Sequence, residues 1–533
     1  MSFNFDPEQH RFGSARFASE EEIARAGLFD LSPGALYVGH IGGRSLMPNL
    51  SGGYLTVAAP RSGKLATVLA YSSCLDGFSD TAIYLDPKGE IGSISFTLKP
   101  SYYWNPARIP GLPYHRINPV GHLHIDNPNL HAAAKAFADN FVEKTGAAGS
   151  VYFEGRGEQF LEAVVLTLAR LDGVVTLKRL FEVLMLIPGG GDGWLEFAFE
   201  MSESGFTISK TVEEEIAAAR GNDSGGFRGI VGELLRAVAP LSDPVLLESV
   251  SPPFDMCLSQ LCGPEAINLF LMPPGSWIAK LGGVLKSFFV GVKHYKESAP
   301  SAPRQTWFLD EIGLLGNFPL AMELFTIGAG MGCRPWAFYQ STEQMKATAP
   351  GGDVIIPASA AVRQYFAVRD DVSAARLSKQ LGMQTLEYDD KAAQLRAQYA
   401  REEAARHLIA GGDPVQAALA LSHHSALEAN RSQQQRELRT MDEVIFTLND
   451  RQYLFIDGVP HPVYAERGPY WESYAMRGRF LPNPYHPPTD SVRIKTRLGH
   501  ANRRVITERV PAQFAHLPQF ADGYWSYIEG FRP

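Results

Sequence analysis

The sequence predicts an α/β fold, with a largely parallel central sheet and an inserted all-helical domain. Three observations carry that expectation. Short apolar runs without clean polar alternation, at 54–58 and 81–85, suit central strands covered on both faces. Runs of the same kind return after residue 265 and alternate with helical patterns, the succession that gives parallel strands joined by right-handed crossovers. Between the two sets, residues 131–247 carry helical periodicity and almost no strand signal.

Composition fits that class. A chain of 533 residues, 45% hydrophobic and 20% charged, can bury a large core and hold two or more domains. Its formal net charge of −8 argues against a generally basic nucleic-acid coat, although a local basic path stays open. Cys257 and Cys262 have no His or Cys partner at zinc spacing. With Cys74 and Cys333 they read as buried small hydrophobes of a reducing compartment. Residues 1–9 lack the apolar stretch of a signal peptide. The most apolar window, 277–295, is broken by Lys280, Lys286 and Lys293, so no transmembrane segment is expected in this chain.

In chain order, residues 1–50 read as an irregular lead-in, with a short helix from Ser19, where Ser19 and Glu22 have capping-box spacing. Residues 51–130 hold the first part of the α/β domain. In the block 131–247, helices are expected at 130–141, 157–171, 177–186, 212–220 and 227–238, the fourth capped by Thr211 with Glu214. Residues 248–388 complete the α/β domain with strands at 266–271, 305–309, 335–339 and 364–368, and with helices at 277–297, 320–328 and 372–381. Residues 389–440, rich in Ala, Gln, Glu and Arg, read as an exposed helical or partly disordered insertion. Residues 441–480 supply closing strands, one at 452–456. Residues 481–533, rich in Pro, aromatic and basic side chains, read as a tail that wraps the surface or contacts a neighbour.

The chemistry begins at Ala58-Ala59-Pro60-Arg61-Ser62-Gly63-Lys64, after one predicted strand and before a helix. A phosphate-binding loop needs that context. Backbone N–H groups wrap the phosphates, the helix terminus adds positive potential, and Lys64 neutralises the terminal phosphates. Gly63 allows close approach. Two positions depart from the strict pattern: Ala58 stands for the first glycine, and Leu65 for the hydroxyl residue that holds magnesium. A surface turn is the alternative source of a lone Ser-Gly-Lys.

A second element ends the strand 305–309. There Asp310 would orient Mg²⁺ through water, and Glu311 would polarise the attacking water as general base; a helix cap is the alternative. Gln340, after a third strand, could sense the γ-phosphate or cap the strand end. Asp86 to Glu90 form a charged turn that could face the same crevice, because the C-terminal ends of separated parallel strands converge. The set assembles a RecA-like P-loop NTPase domain using ATP and Mg²⁺. Its catalytic candidates are Lys64, Asp310, Glu311 and Gln340, its metal candidate is Asp310, and its nucleotide contacts are Ala58, Arg61, Ser62, Gly63, Lys64 and Leu65. A neighbouring subunit could supply an arginine, with Arg304, Arg334, Arg363 and Arg369 as candidates near strand ends.

With those residues in order, the chain resembles the VirD4/TraG family of type IV secretion coupling proteins. The lead-in His10-Arg11-Phe12-Gly13-Ser14-Ala15-Arg16-Phe17-Ala18 is similar to the family's Gly-Ser-Ala-Arg-Trp-Ala. The loop 58–64, Asp86-Pro87-Lys88-Gly89-Glu90, Asn118-Pro119, the region from Asp310 to Gly316 and Gln340-Ser341 follow in the family's order, as do Met441-Asp442-Glu443-Val444 and the segments at 455–458 and 462–465. The resemblance implies a hexameric ATPase at the cytoplasmic face of a bacterial inner membrane. It would recruit relaxase–DNA complexes or effector proteins, directly or through an adaptor, and deliver them to the secretion channel, with single-stranded DNA as one cargo. The helical block 131–247 would recognise substrate. Three departures stand out: the absent transmembrane helices, Leu65, and Ala329 in the segment 328–332, where the family carries Gly-Arg. Leu65, Ala58 and Ala329 motivate an alternative, a weakly or non-hydrolysing docking platform for cargo and adaptors.

Overall fold

The computed structural model describes residues 11–75, 78–144, 150–222, 225–388, 391–410, 413–429 and 432–533. His10 of the lead-in match and the reading of residues 1–9 lie outside them. The chain divides into a larger unit (20–367, 448–459 and 464–533) and a smaller one (1–19, 368–447 and 460–463).

Sixteen strands are formed by the described residues. The first nine are β1 (Gly39–Ile41), β2 (Arg44–Leu46), β3 (Gly53–Ala58), β4 (Thr81–Leu85), β5 (Ser101–Trp104), β6 (Asn268–Leu271), β7 (Gln305–Leu309), β8 (Cys333–Tyr339) and β9 (Ala360–Phe366). The others are β10 (Met383–Tyr388), β11 (Ser432–Glu437), β12 (Arg451–Ile456), β13 (Val463–Glu466), β14 (Ser491–Thr496), β15 (Gly499–Arg509) and β16 (Tyr524–Ile528).

The larger unit is built on one sheet in the order β2-β1-β13-β12-β9-β3-β8-β7-β4-β6-β5. From β9 to β5 every neighbouring pair is parallel. β12 joins β9 antiparallel, and β1 pairs antiparallel with β13 and β2. The α/β RecA-like P-loop expectation is therefore met, with a largely parallel sheet at its centre. β3, β4, β6, β7 and β8 are buried along their whole length, which is why their sequences are apolar without alternation. Aromatic rings run across five strands: Tyr103, Phe270, Tyr84 and Phe308 stack at 4.7–4.8 Å between centroids, and Trp336 follows at 5.8 Å. Such contacts contribute about 0.5–1.5 kcal/mol each beyond area burial.

Between β5 and β6 lie the helices Leu130–Phe141, Val151–Asp172, Leu177–Leu186, Asp192–Glu203, Thr207–Asn222, Gly225–Val238 and Pro244–Ser249. The first and third match the expected bounds, and Asp192–Glu203 is an addition to the expected set. Thr211 is no cap. It sits inside the helix that begins at Thr207, because Ile208, Val212 and Ile216 extend the apolar stripe one turn earlier. Working caps are Thr176, which accepts from the Arg179 N–H, and Asp243, which accepts from Val245 and Leu246.

The C-terminal stretch departs most from expectation. Residues 491–528 hold a three-stranded antiparallel sheet, β14-β15-β16, in place of a wrapping tail. Val492, Ile494 and Ile528 are buried in one cluster with Tyr37, Ala70, Tyr71, Cys74, Ile94 and Phe480, and Leu65 packs against it. The sheet is thus mounted on the helix that follows the phosphate loop. The expected burial is found for Cys74 and Cys333, but Cys262 is half-buried and Cys257 is exposed, beside the short helical turn Leu258–Cys262.

In the smaller unit, β10 and β11 pair antiparallel. Of the expected insertion 389–440, Lys391–Ile409 and Pro414–Ala429 are helices, whereas Ser432–Glu437 form β11, a strand that the helical or disordered expectation did not include. The helix Asp371–Leu381 is capped by Asp370 onto Ser373, and Met441–Ile445 by a capping box of Thr440 and Glu443. Among the described residues of the chain, no helix is long and apolar enough to cross a membrane.

Candidate nucleotide site

The order β3-β8-β7-β4 sets four parallel strands side by side, and each delivers a predicted residue from its C-terminal end. β3 ends at Ala58 and runs into the loop. β8 is followed by Gln340, β7 by Asp310 and Glu311, and β4 by Asp86. Separation of 246 positions between Lys64 and Asp310 in sequence therefore becomes adjacency of strand ends.

The loop turns through two residues in the left-handed region, Arg61 at φ 57° and Gly63 at φ 82°. Gly63 adopts that geometry without strain; Arg61 does so at some cost and is exposed. The Ser62 Oγ is buried with no partner. Lys64 is 8% exposed and opens a helix whose first turn, Leu65–Leu69, is π-helical, a rare geometry that recurs at functional sites. Ala58 is fully buried in the strand.

The predicted catalytic residues meet. The Lys64 Nζ donates to Glu311 Oε1 at 3.2 Å, and the Gln340 Nε2 donates to Glu311 Oε2 at 2.6 Å. Gln340 is held in turn by its N–H, which donates to the Gln344 side chain at 2.8 Å. Glu311 has φ 55°, a strained backbone for a non-glycine residue and one that aims its carboxylate back at the loop. Asp310 keeps partial access to water as a residue, yet its Oδ1 is sealed and has no partner. Burial pushes its pKa up to about 6; Lys64 opposes that shift and the Glu311 charge adds to it. Asp86 is 2% exposed and accepts from the Gly92 N–H at 2.9 Å. Burial raises it to about 7, the Gly92 bond opposes this, and repulsion from Asp310 and Glu90 adds.

These groups fit a magnesium polyphosphate. The orphaned Asp310 oxygen and the unpartnered Ser62 hydroxyl are oxygen atoms with unmet capacity beside the loop. No group of three or more His, Cys, Asp or Glu side chains among the described residues could hold a metal alone. A cation here would need phosphate and water as further ligands, as magnesium commonly does.

Two arginine candidates are committed to contacts within the chain. Arg334 is wholly buried, and its Nη2 donates to Asp80 at 2.8 Å; the Arg304 Nε donates to the same oxygen at 2.8 Å. Asp80 precedes β4, so this cluster lies at the end of the strands opposite the loop. Arg363 is inside β9, with its guanidinium over the Phe455 ring, and not at the strand end. Arg369 is exposed. Sequence reasoning also missed a residue. Arg467, after β13, donates to the Ser62 carbonyl at 2.8 Å, and nothing in Glu466-Arg467-Gly468 marks it as a loop contact.

A family described as type IV secretory system conjugative DNA transfer matches residues 8–489. The chain belongs to that family. No curated protein matches it. Among solved structures, the bacterial conjugative coupling protein TrwBdeltaN70 in complex with sulphate is 17% identical with a TM-score of 0.59, covering 87% of this chain and 96% of that one. TrwB with the ATP analogue ADPNP gives the same figures, and TrwB with ADP and Mg²⁺ is 16% identical with a TM-score of 0.57, covering 85% and 93%. At these identities the likeness is one of fold, and it extends over most of this family member.

Proposed function

We propose that this family member is an ATP-hydrolysing coupling motor of type IV secretion, with its nucleotide site at Lys64, Asp310, Glu311 and Gln340. The observation that carries the reading is the Lys64–Glu311–Gln340 chain beside the unpartnered Asp310 oxygen, at the adjacent ends of β3, β7 and β8. Family membership and the nucleotide complexes of TrwB support it.

The residues divide the work. The loop amides around Ser62 and Gly63 bind phosphate oxygens, and Lys64 neutralises the terminal phosphates. Asp310 would hold magnesium, which when bound would offset charge on the phosphates. Lys64 cannot serve both phosphate and Glu311 fully. Arrival of nucleotide would draw Lys64 off and leave the Glu311 carboxylate, steadied by Gln340, to take a proton from water. The base is thereby restrained until substrate is present. Assembly as a hexamer, placement at the cytoplasmic face of a bacterial inner membrane, contact with the secretion channel, and recruitment of relaxase–DNA or effector cargo through the block 131–247 belong to the same proposal.

One observation favours the second reading, a slow or non-hydrolysing docking platform: Leu65 packs against the Tyr71 and Ile494 cluster, and no hydroxyl stands at that position. Turnover of Mg-ATP decides between them. A motor loses nucleotide binding in Lys64→Ala and turnover in Glu311→Gln. Wild-type turnover equal to that of Glu311→Gln, under conditions that allow oligomers, leaves only the platform.

A further inference from the structure

Arg467 follows β13 directly and is 4% exposed. Its Nη1 donates to the Ser62 carbonyl at 2.8 Å and to the Thr67 Oγ1 at 3.0 Å. The Thr67 hydroxyl uses its own proton on the Gly63 carbonyl at 2.9 Å. The guanidinium lies 3.9 Å from the centre of the Phe366 ring, and its Nε is buried with no partner. Among the described residues, no carboxylate lies within ion-pair distance of Arg467. Burial lowers its pKa to about 10, against the more distant charge of Asp450, which leaves it charged at neutral pH. A buried cation without a paired counter-charge is costly, and the Phe366 face with two oxygens offsets only part of that.

Those contacts fall on carbonyl and hydroxyl oxygens, and the Ser62 carbonyl is the opposite pole of its peptide from the N–H that faces a phosphate. The peptide whose oxygen is Ser62's carries its N–H on Gly63. A cation on that oxygen polarises the peptide and makes the N–H a stronger donor. It also pins the one residue between two left-handed turns, Arg61 and Gly63. We propose that Arg467 is a positioning residue of the phosphate loop, holding and polarising the Ser62–Gly63 peptide from behind so that Gly63 and Lys64 meet a polyphosphate. This rests on the nucleotide reading above and deepens it: the last segment of the large sheet sets the affinity of its first loop.

The test uses the full chain, a fluorescent ATP analogue with inorganic pyrophosphate as competitor, and melting temperatures with and without ligand. Arg467→Met is expected to weaken binding of both anions at least about tenfold. Its melting temperature without nucleotide is expected to stay level or rise, because an uncompensated buried charge is gone. Arg467→Gln, a neutral donor, is expected to follow Met, and Arg467→Lys to recover part of the affinity. The Met and Gln variants raise KM more than they lower kcat. Binding by Arg467→Met within twofold of wild type overturns the proposal. So does a lost affinity that comes with a lower melting temperature in the absence of ligand, since the arginine would then only support the fold. Should the Met variant not fold, Arg467→Gln at wild-type affinity is equally fatal. Wild-type protein that binds no nucleotide, or binds it unchanged in Lys64→Ala, removes the nucleotide reading itself and is recognised before any Arg467 variant is compared.

Discussion

Replacing Glu311 with glutamine separates binding from turnover. Lys64 Nζ and Glu311 Oε1 are 3.2 Å apart, with side chains 9% and 21% exposed. At an effective dielectric near 20, two full charges at that separation attract by roughly 5 kcal/mol before desolvation. Lys64 must loosen this contact to reach a phosphate, so the contact opposes nucleotide binding. Most of the opposition is recovered: phosphate oxygens offer Lys64 another anion, and Glu311 retains the Gln340 amide at 2.6 Å. If about 1–2 kcal/mol remains, Glu311→Gln binds ATP roughly 5–30-fold more tightly than wild type. Without a carboxylate to accept a proton, turnover falls about 10²–10⁴-fold. Titration of a fluorescent ATP analogue with Mg²⁺ at about 0.15 M salt reads the first quantity, and single-turnover phosphate release reads the second. Equal or weaker binding in the variant refutes the competition between Glu311 and phosphate for Lys64. Hydrolysis at the wild-type rate removes Glu311 as the base.

Three further outcomes follow from buried groups. Asp80→Ala leaves Arg334 wholly buried without its carboxylate and is expected to lower stability by about 3–5 kcal/mol in urea unfolding, where a loss below about 1 kcal/mol argues against a paired cluster. His122 is fully buried with both ring nitrogens unpartnered, and burial lowers its pKa to about 3, with His294 and His124 adding to the shift. Its neutral form is favoured in the fold, so its stability contribution is full above the unfolded value near 6.5 and is lost as pH falls toward 3. Between about pH 7.5 and 5.0 this residue alone should remove about 2 kcal/mol, and His122→Gln should flatten that part of the profile; an unchanged slope contradicts the assignment. Ile494→Ala, in the C-terminal sheet, is expected to cost about 2–4 kcal/mol by denaturant unfolding, and a negligible cost would mean that β14 is not docked.

Local pattern makes the central sheet and much of the helical block legible in the sequence. Residues 81–85 and 305–309 are strands to the residue, and 130–141 and 177–186 are helices to the residue. Their apolar content is dense because they are buried along their length or on one strong face. The placement of Asp310, Glu311 and Gln340 is legible for a related reason: each sits where an apolar run stops, and a stop of that kind marks a strand end. The short strands β1 and β2 and the sheet β14-β15-β16 carry no such density. The C-terminal sheet is stabilised by residues distant in sequence, as when Ile494 joins Tyr71 in one buried cluster, and a window of a few residues cannot contain that information.

The amino-acid sequence by itself determined the fold class and marked the loop 58–64 and the acids Asp310 and Glu311 as candidates, because each depends on residues close together in the chain. Tertiary structure alone decided that Glu311 bridges Lys64 and Gln340, that Arg304 and Arg334 are committed to Asp80 at the far strand ends, and that Arg467 reaches back 405 residues to the Ser62 carbonyl. The physical reason is strand order. Parallel strands gather their C-terminal ends on one edge of the sheet whatever their separation along the chain, and which ends become neighbours is settled only when the sheet is packed.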